Sequence, residues 1–240
     1  ITLTFESGRI YGLLGENGAG KSTLMKILSG YQDPTRGQIL LDGEPVEFES
    51  PSDALRRGIG MRYQSPQDFP PLQVVENQLL AYNDDLVLDK RTAETELQEA
   101  AGRFSFDMDP RAYVDSLSLG ERQQMELLRL LSLGAEVLIL DEPTTGISAE
   151  QKEMLFDTMR RLAHEAQKTI ILVSHKLEEV QELCDEVAVL RAGKLVGMRD
   201  IPCPTRDLVQ MMFGAEAPRT ARTEVHSEQK VIELKDVSIR

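Results

Sequence analysis

Apolar residues in this chain come in short runs separated by longer polar stretches of helical spacing. Arg9 to Leu14 (RIYGLL), Val137 to Leu140 (VLIL) and Ile170 to Val173 (IILV) are too short and too continuous for amphipathic helices. They predict strands buried on both faces. Ile1, Leu3 and Phe5 alternate with polar residues and predict a half-buried strand ahead of the first run. Gln38 to Leu41, then Asp42-Gly43, then Val46 and Phe48, predict a hairpin. Helical spacing covers Lys21 to Ser29, with Gly30 placed to stop it, and recurs over about 74–82, 90–103, 119–133, 149–166 and 176–183. A strand pair at 187–190 and 194–197, turned at Ala192-Gly193, completes the pattern. Strands alternating with helices predict an α/β fold with a parallel sheet and crossover helices. Pro66, Pro70 and Pro71 punctuate a loop that opens an inserted helical subdomain at about 66–135.

Composition narrows what such a fold can do. With 240 residues the chain can form one large α/β domain or two small ones. Twenty-seven basic against 40 acidic residues give a net charge of −13, which argues against a surface built to release counterions from nucleic acid. No apolar run approaches the roughly 18 residues that cross a bilayer, so a membrane role is expected to run through a partner. Cys184 and Cys203 form no CxxC pattern and no cluster with the three histidines, so neither a disulfide framework nor a zinc site is expected. His164 and His226 read as surface residues. The chain starts at Ile1 with no basic-then-apolar leader, and it reads as a piece of something longer. Residues 199–230 mix Pro, Arg, Thr, Glu and Ser without period and read as a linker after a domain at 1–198. The run VIELKDVSIR (231–240) reads as the first strand of a following module.

The strongest chemical signal follows the first buried run. Gly15, Glu16, Asn17, Gly18, Ala19, Gly20, Lys21, Ser22 and Thr23 fit G-x-x-x-x-G-K-[ST] between a strand and a helix. Small residues let the backbone N–H groups turn inward on phosphate oxygens, and the helix N-terminus adds its partial positive charge. Lys21 would reach the β- and γ-phosphates, and the Ser22 hydroxyl would ligate Mg²⁺. The complementary acidic group stands after VLIL, where a proline ends the strand. Asp141 would hold Mg²⁺, and Glu142 would orient or deprotonate an attacking water.

Between these motifs lies SLSLGERQQMELLRLL (116–131), in which Ser118 and Glu121 have capping-box spacing. The segment LSLGE upstream of LILDEP also resembles the signature motif of ABC-type ATPases. With the phosphate loop, Gln64 after IGMRYQ and His175 after IILVS, the resemblance spans nearly the whole chain. It implies a P-loop NTPase core with an antiparallel β edge and an inserted helical subdomain of ABC type. It also implies ATP and Mg²⁺ as ligands, with two modules paired head to tail so that Ser118 and Gly120 face the γ-phosphate held by the other module. Gln64 would touch Mg²⁺ or the water and His175 the γ-phosphate.

DEPTTGISAEQ and SHKLEEVQELCDEVAVLRAGKLVG further resemble the first module of tandem ATPases of bacterial sugar and nucleoside importers. That resemblance implies a peripheral protein on the cytoplasmic face of the bacterial inner membrane, working with transmembrane permease subunits and, indirectly, a solute-binding protein. The loop at Ser65–Glu76 would receive the permease, and the tail 231–240 would lie on a sheet edge. Two departures stand out. Thr145, Gly146, Ile147 and Ser148 replace the usual SALD, and Leu119 replaces the usual glycine of the signature. The adenine-stacking aromatic is expected ahead of Ile1. Two other readings remain at this point: a soluble ABC mechanoenzyme on ribosomes or DNA, and a nucleotide-binding half with weak hydrolysis.

Overall fold

The computed structural model describes residues 1–64, 67–80, 89–104 and 106–214. The chain forms β1 (Ile10–Leu14), α1 (Lys21–Leu28), β2 (Ile39–Leu41), β3 (Glu44–Val46), α2 (Pro51–Arg56) and β4 (Ile59–Arg62). Helices α3 (Val74–Leu79), α4 (Lys90–Phe104) and α5 (Leu119–Ser132) follow, then β5 (Val137–Asp141) and α6 (Ala149–Arg160), which runs on into a π-turn at Arg161–Glu165. The chain then forms β6 (Thr169–Val173), α7 (Leu177–Leu183), β7 (Glu186–Arg191), β8 (Lys194–Asp200) and α8 (Thr205–Phe213).

Among the described residues one six-stranded sheet runs β4-β5-β6-β1-β7-β8, parallel except for the β7–β8 pair at one edge. The buried runs alternate their side chains between its two faces, as strand geometry requires. Leu138, Leu140, Ile170, Leu172, Val187 and Val189 face the core shared with α5, α6, α7 and α8. Ile139, Ile171, Val173, Ala188 and Leu190 face Met25 of α1, Ala54 of α2 and Phe48. Each fully buried Leu, Ile, Val or Met among them contributes roughly 1.5–3 kcal/mol by leaving water. The hairpin β2–β3 pairs Ile39 with Val46, and Asp42 and Gly43 turn it with φ of 52° and 84°, as a two-residue primed turn demands.

Helices α3, α4 and α5 lie between β4 and β5 in the chain, with Val74, Val75, Leu97, Ala101 and Val114 buried in the same core as that face of the sheet. Helix α3 ends at Leu79, short of the expected 82, and residues 81–88 lie outside the described ones.

Two expectations need correction. Ile1 to Phe5 forms no strand; Leu3 and Phe5 still pack on the α1 side of the core, and the Phe5 ring meets Tyr11 edge-on at 5.0 Å. Alternation reports that one face is buried, but a strand also needs a ladder partner, and among the described residues none pairs with this segment. The linker expected from 199 is structured as far as residue 214. β8 runs to Asp200, and α8 buries Leu208 and Met212, while Arg191 donates to the Met211 carbonyl at 3.1 Å. The expected linker beyond 214 and the strand at 231–240 lie outside the described residues.

Candidate nucleotide site

The sheet order makes β1, β6, β5 and β4 consecutive neighbours, and each carries a motif just past its carboxyl end. The loop starting at Gly15 follows β1, His175 follows β6, Asp141 and Glu142 close β5, and Gln64 follows β4. Ligands of open α/β sheets bind at this edge. Asn17, Gly18, Gly20, Lys21, Ser22, Thr23, Gln64, Asp141, Glu142 and Val173 line a cleft of about 380 Å³ there.

The loop is built for an anion. Gly15 sits so close to β7 that a Cβ would lie 2.4 Å from the Leu190 carbonyl oxygen, and no other residue fits. Gly20, with φ of 101°, caps α1 without any side-chain hydrogen bond, and the first turn of α1 holds no acidic residue. The first amides of α1 therefore have no capping partner, the condition that a phosphate satisfies. Lys21 folds back over the loop, its Nζ donating to the carbonyls of Gly15 at 2.7 Å and Glu16 at 3.1 Å. Burial lowers the Lys21 pKa from its ordinary value, against the pull of Glu142 and Asp141.

The acidic pair is held differently at its two members. Asp141 is pushed above the usual carboxylate range by burial and then by Glu142, with Lys21 and Arg62 working the other way. A cation beside it would relieve this burial cost. Among the described residues no three His, Cys, Asp or Glu side chains cluster to hold a metal alone. A Mg²⁺ held by Ser22, Gln64 and Asp141 would draw its remaining oxygens from phosphate and water, which suits that ion. Glu142 is gripped on both oxygens, by His175 Nδ1 at 2.8 Å on Oε1 and by Gln64 Nε2 at 3.2 Å on Oε2. Its backbone has φ of 46°, a left-handed conformation uncommon outside glycine and one that clusters at functional sites. The Glu142 N–H donates to the Val173 carbonyl at 2.9 Å, which anchors that turn to β6.

Sequence reasoning missed the support beneath this pair. Glu179 of α7, 5% exposed, accepts from Thr144 Oγ1 at 2.6 Å, Ser174 Oγ at 3.1 Å and Lys176 Nζ at 2.8 Å. One buried carboxylate thus ties the loop after Glu142 to the loop that carries His175. The only advance sign was a glutamate four residues after the histidine, on an apolar face of the helix.

Ser118 and Gly120 do not line the cleft. Ser118 caps α5, accepting from the Glu121 N–H at 3.3 Å and donating its own N–H to the Glu121 carboxylate at 2.7 Å. The two departures noted in the sequence meet each other: a Cβ at Gly146 would lie 2.9 Å from Leu119 Cδ2. His164 bonds Asp185 at 3.0 Å, far from the cleft's motifs in the sheet.

The model of the family described as ABC transporter matches residues 1–145. The chain belongs to the ABC transporter family. Among curated ABC proteins, a ribose import ATP-binding protein of Rhodopirellula baltica is 35% identical over 243 residues, covering 100% of this chain and 47% of that protein. A glucose import ATP-binding protein of Haloferax volcanii is 39% identical, covering 99% and 49%. A nucleoside import ATP-binding protein of Lactococcus lactis subsp. cremoris is 35% identical, covering 100% and 48%. The chain spans about half the length of the curated relatives it matches. Of solved structures, cbiO1 of Clostridium perfringens, part of the ABC transporter complex cbiONQ, aligns with a TM-score of 0.72 at 27% identity over 83% of this chain and 80% of that one. A nucleotide-free ATP-binding cassette aligns with a TM-score of 0.75 at 18% identity over 90% and 88%, and so supports the fold alone. The ABC assignment agrees with the α/β core and inserted helices described above.

Proposed function

We propose that this chain is an ATP-binding and hydrolysing module that energises import of a small solute, a sugar, a nucleoside or similar, through a separate membrane permease. The observation that carries the reading is the convergence of Lys21, Asp141, Glu142 and Gln64, from the ends of β1, β5 and β4, on one cleft, with His175 at the end of β6 bonded to Glu142 at 2.8 Å. The import reading is further supported by relatives that are named sugar and nucleoside import ATP-binding proteins. Among the described residues no helix is long and apolar enough to cross a membrane, which fits a subunit that works through a permease at the cytoplasmic face of the inner membrane.

The main-chain amides from Gly15 to Thr23 would hold the triphosphate, with Lys21 leaving its loop carbonyls to meet the β- and γ-phosphates. Ser22, Gln64 and Asp141 would hold Mg²⁺, which when bound neutralises charge on the phosphate oxygens. Glu142, fixed by Gln64 and His175, would orient the attacking water and accept its proton. His175 would steady the γ-phosphate. A second ABC module, head to tail in the same longer polypeptide, would bring its own signature helix to this cleft and receive Ser118 and Gly120 in return. A solute-binding protein would act indirectly. The half-site with weak hydrolysis draws its weight from the aspartate missing at Thr145–Ser148 and from Leu119, whose side chain is half-buried against Gly146 of its own module. The mechanoenzyme reading has no support among these relatives.

The test is a pair of variants in the full-length protein. Glu142→Gln should bind ATP as before and lose turnover, whereas Lys21→Ala should lose affinity. Turnover by Glu142→Gln at the native rate would remove the glutamate from its role, and unaltered affinity in Lys21→Ala would remove the site.

A further inference from the structure

Gln151 is the third residue of α6, and its side chain spans two motifs. Its Oε1 accepts from the Ser148 backbone N–H at 3.1 Å, and its Nε2 donates to Ser118 Oγ at 3.2 Å. The amide cannot be turned round. A backbone N–H only donates, so the oxygen must face Ser148 and the nitrogen must face Ser118.

The same logic fixes the serine. Ser118 Oγ also accepts from the Glu121 N–H at 3.3 Å. A hydroxyl offers two acceptor lone pairs and one proton. Both lone pairs are engaged by groups that can only donate, so the proton alone is left to give. The nearby Glu121 carboxylate, which accepts from the Ser118 N–H at 2.7 Å, is held below the usual range by the Ser118 hydroxyl and then that N–H. Gly120 leaves room for this arrangement, because a Cβ there would lie 3.0 Å from Gln151 Cδ and Nε2. The segment that leaves Glu142 therefore touches α5 of its own module twice, from the loop through Gly146 on Leu119 and from the first turn of α6 through Gln151 on Ser118.

We propose that Gln151 is a positioning residue that makes the Ser118 hydroxyl an obligate hydrogen-bond donor, ready for an anionic phosphate oxygen presented by a facing module. This rests on the function proposed above. It also assigns a route between sites that does not need the aspartate missing from the Thr145–Ser148 loop. Any movement of the loop after Glu142 is felt at Ser118, which serves the other nucleotide.

Gln151→Glu tests it with little change of shape. The carboxylate still accepts from the Ser148 N–H, so the cap of α6 survives, but it cannot donate to Ser118 and instead competes for its proton. In the full-length protein ATP turnover should fall on the order of tenfold, the scale of one hydrogen bond to a charged group. Nucleotide affinity and the thermal midpoint should stay as they were. Gln151→Met, which removes the donor without adding charge, should lose a few-fold. In a Ser118→Ala background, where turnover is already reduced, Gln151→Glu should cost nothing more. Native turnover in Gln151→Glu, native turnover in Ser118→Ala, or an equal loss with and without the serine would each overturn the proposal. Lys21→Ala measured alongside separates the two readings. If it abolishes affinity while Gln151→Glu is silent, only the role of Gln151 falls; if it leaves affinity untouched, the nucleotide site itself falls.

Discussion

Arg62 Nε lies 3.1 Å from Glu126 Oε2, with both side chains only 2% exposed. The pair joins the end of β4, just before Gln64, to the middle of the signature helix α5. Glu126 Oε1 also accepts from the Gln67 N–H at 2.6 Å, so a single carboxylate anchors the chain on the far side of Gln64 as well. Burial lowers the Arg62 pKa and raises that of Glu126, as expected for two desolvated charges. Removing one partner strands the other, at a cost of about 3–5 kcal/mol. Glu126→Leu should accordingly lower the denaturation midpoint sharply, and Arg62→Leu with Glu126→Leu should recover the part of the loss that comes from the stranded guanidinium, though not the Gln67 bond. A double variant no more stable than Glu126→Leu would show that the pair is not what the helix relies on.

Glu179→Ala should affect chemistry and stability together. It takes away the acceptor of the Thr144 and Ser174 hydroxyl protons, 5% and 2% exposed, at about 1 kcal/mol each, while Lys176 still donates to both oxygens, through Nζ to Thr144 at 3.0 Å and through its N–H to Ser174 at 3.1 Å. With the loops of Glu142 and His175 no longer tied, turnover should drop more than nucleotide affinity does. Urea unfolding and nucleotide titration on the same sample measure the two effects separately.

Gly146→Ala asks how the two departures from the family pattern fit together. The residue has φ of 82°, so a side chain there costs about 1–2 kcal/mol whatever the neighbours do. The steric part falls on the flexible end of Leu119, which can move away. Leu119→Ala should therefore restore only a small fraction of the loss, and a thermal-melt cycle of the four proteins would measure it. Full restoration would mean that crowding, not backbone conformation, requires the glycine.

Asp141 should impose a pH dependence on cation binding. Its pKa is raised by burial and by Glu142, and a cation can be held only by the ionised form. As pH falls, Mg²⁺-dependent nucleotide affinity should begin to decline above pH ~4, the range of an ordinary aspartate. Affinity measured with the nucleotide but without the cation should be less sensitive over the same interval. An equal decline with and without Mg²⁺ would assign the titration elsewhere.

What could be read in advance follows from how local each signal is. β1, β5 and β6 were legible because continuous apolar runs of about five residues have few other homes, and α5 because Ser118 with Glu121 marks its start. The phosphate loop was legible because its glycines, lysine and serine lie within nine residues. α8 was not, because Pro202, Pro204 and Arg206 dilute the spacing of Leu208, Met211 and Met212. The Arg62–Glu126 pair spans 64 positions and the Gln151–Ser118 bond 33, so neither leaves a local pattern. The left-handed turn at Glu142 was equally hidden, since it is held by a hydrogen bond to Val173 on the next strand.

The parallel sheet works as a ruler. Neighbouring strands lie about 4.8 Å apart, so the tips of β1, β6, β5 and β4 set the spacing of the motif residues in fixed steps across the edge. The weak point of such a ruler is registry, not affinity for any single group. Asp141 stands opposite Val173, and Leu140 opposite Arg62. Deleting one residue from Val137–Leu140 would slide the carboxylate one step along the ladder and turn it to the opposite face of the sheet. Every motif residue would still be in the chain, yet the site would be disassembled.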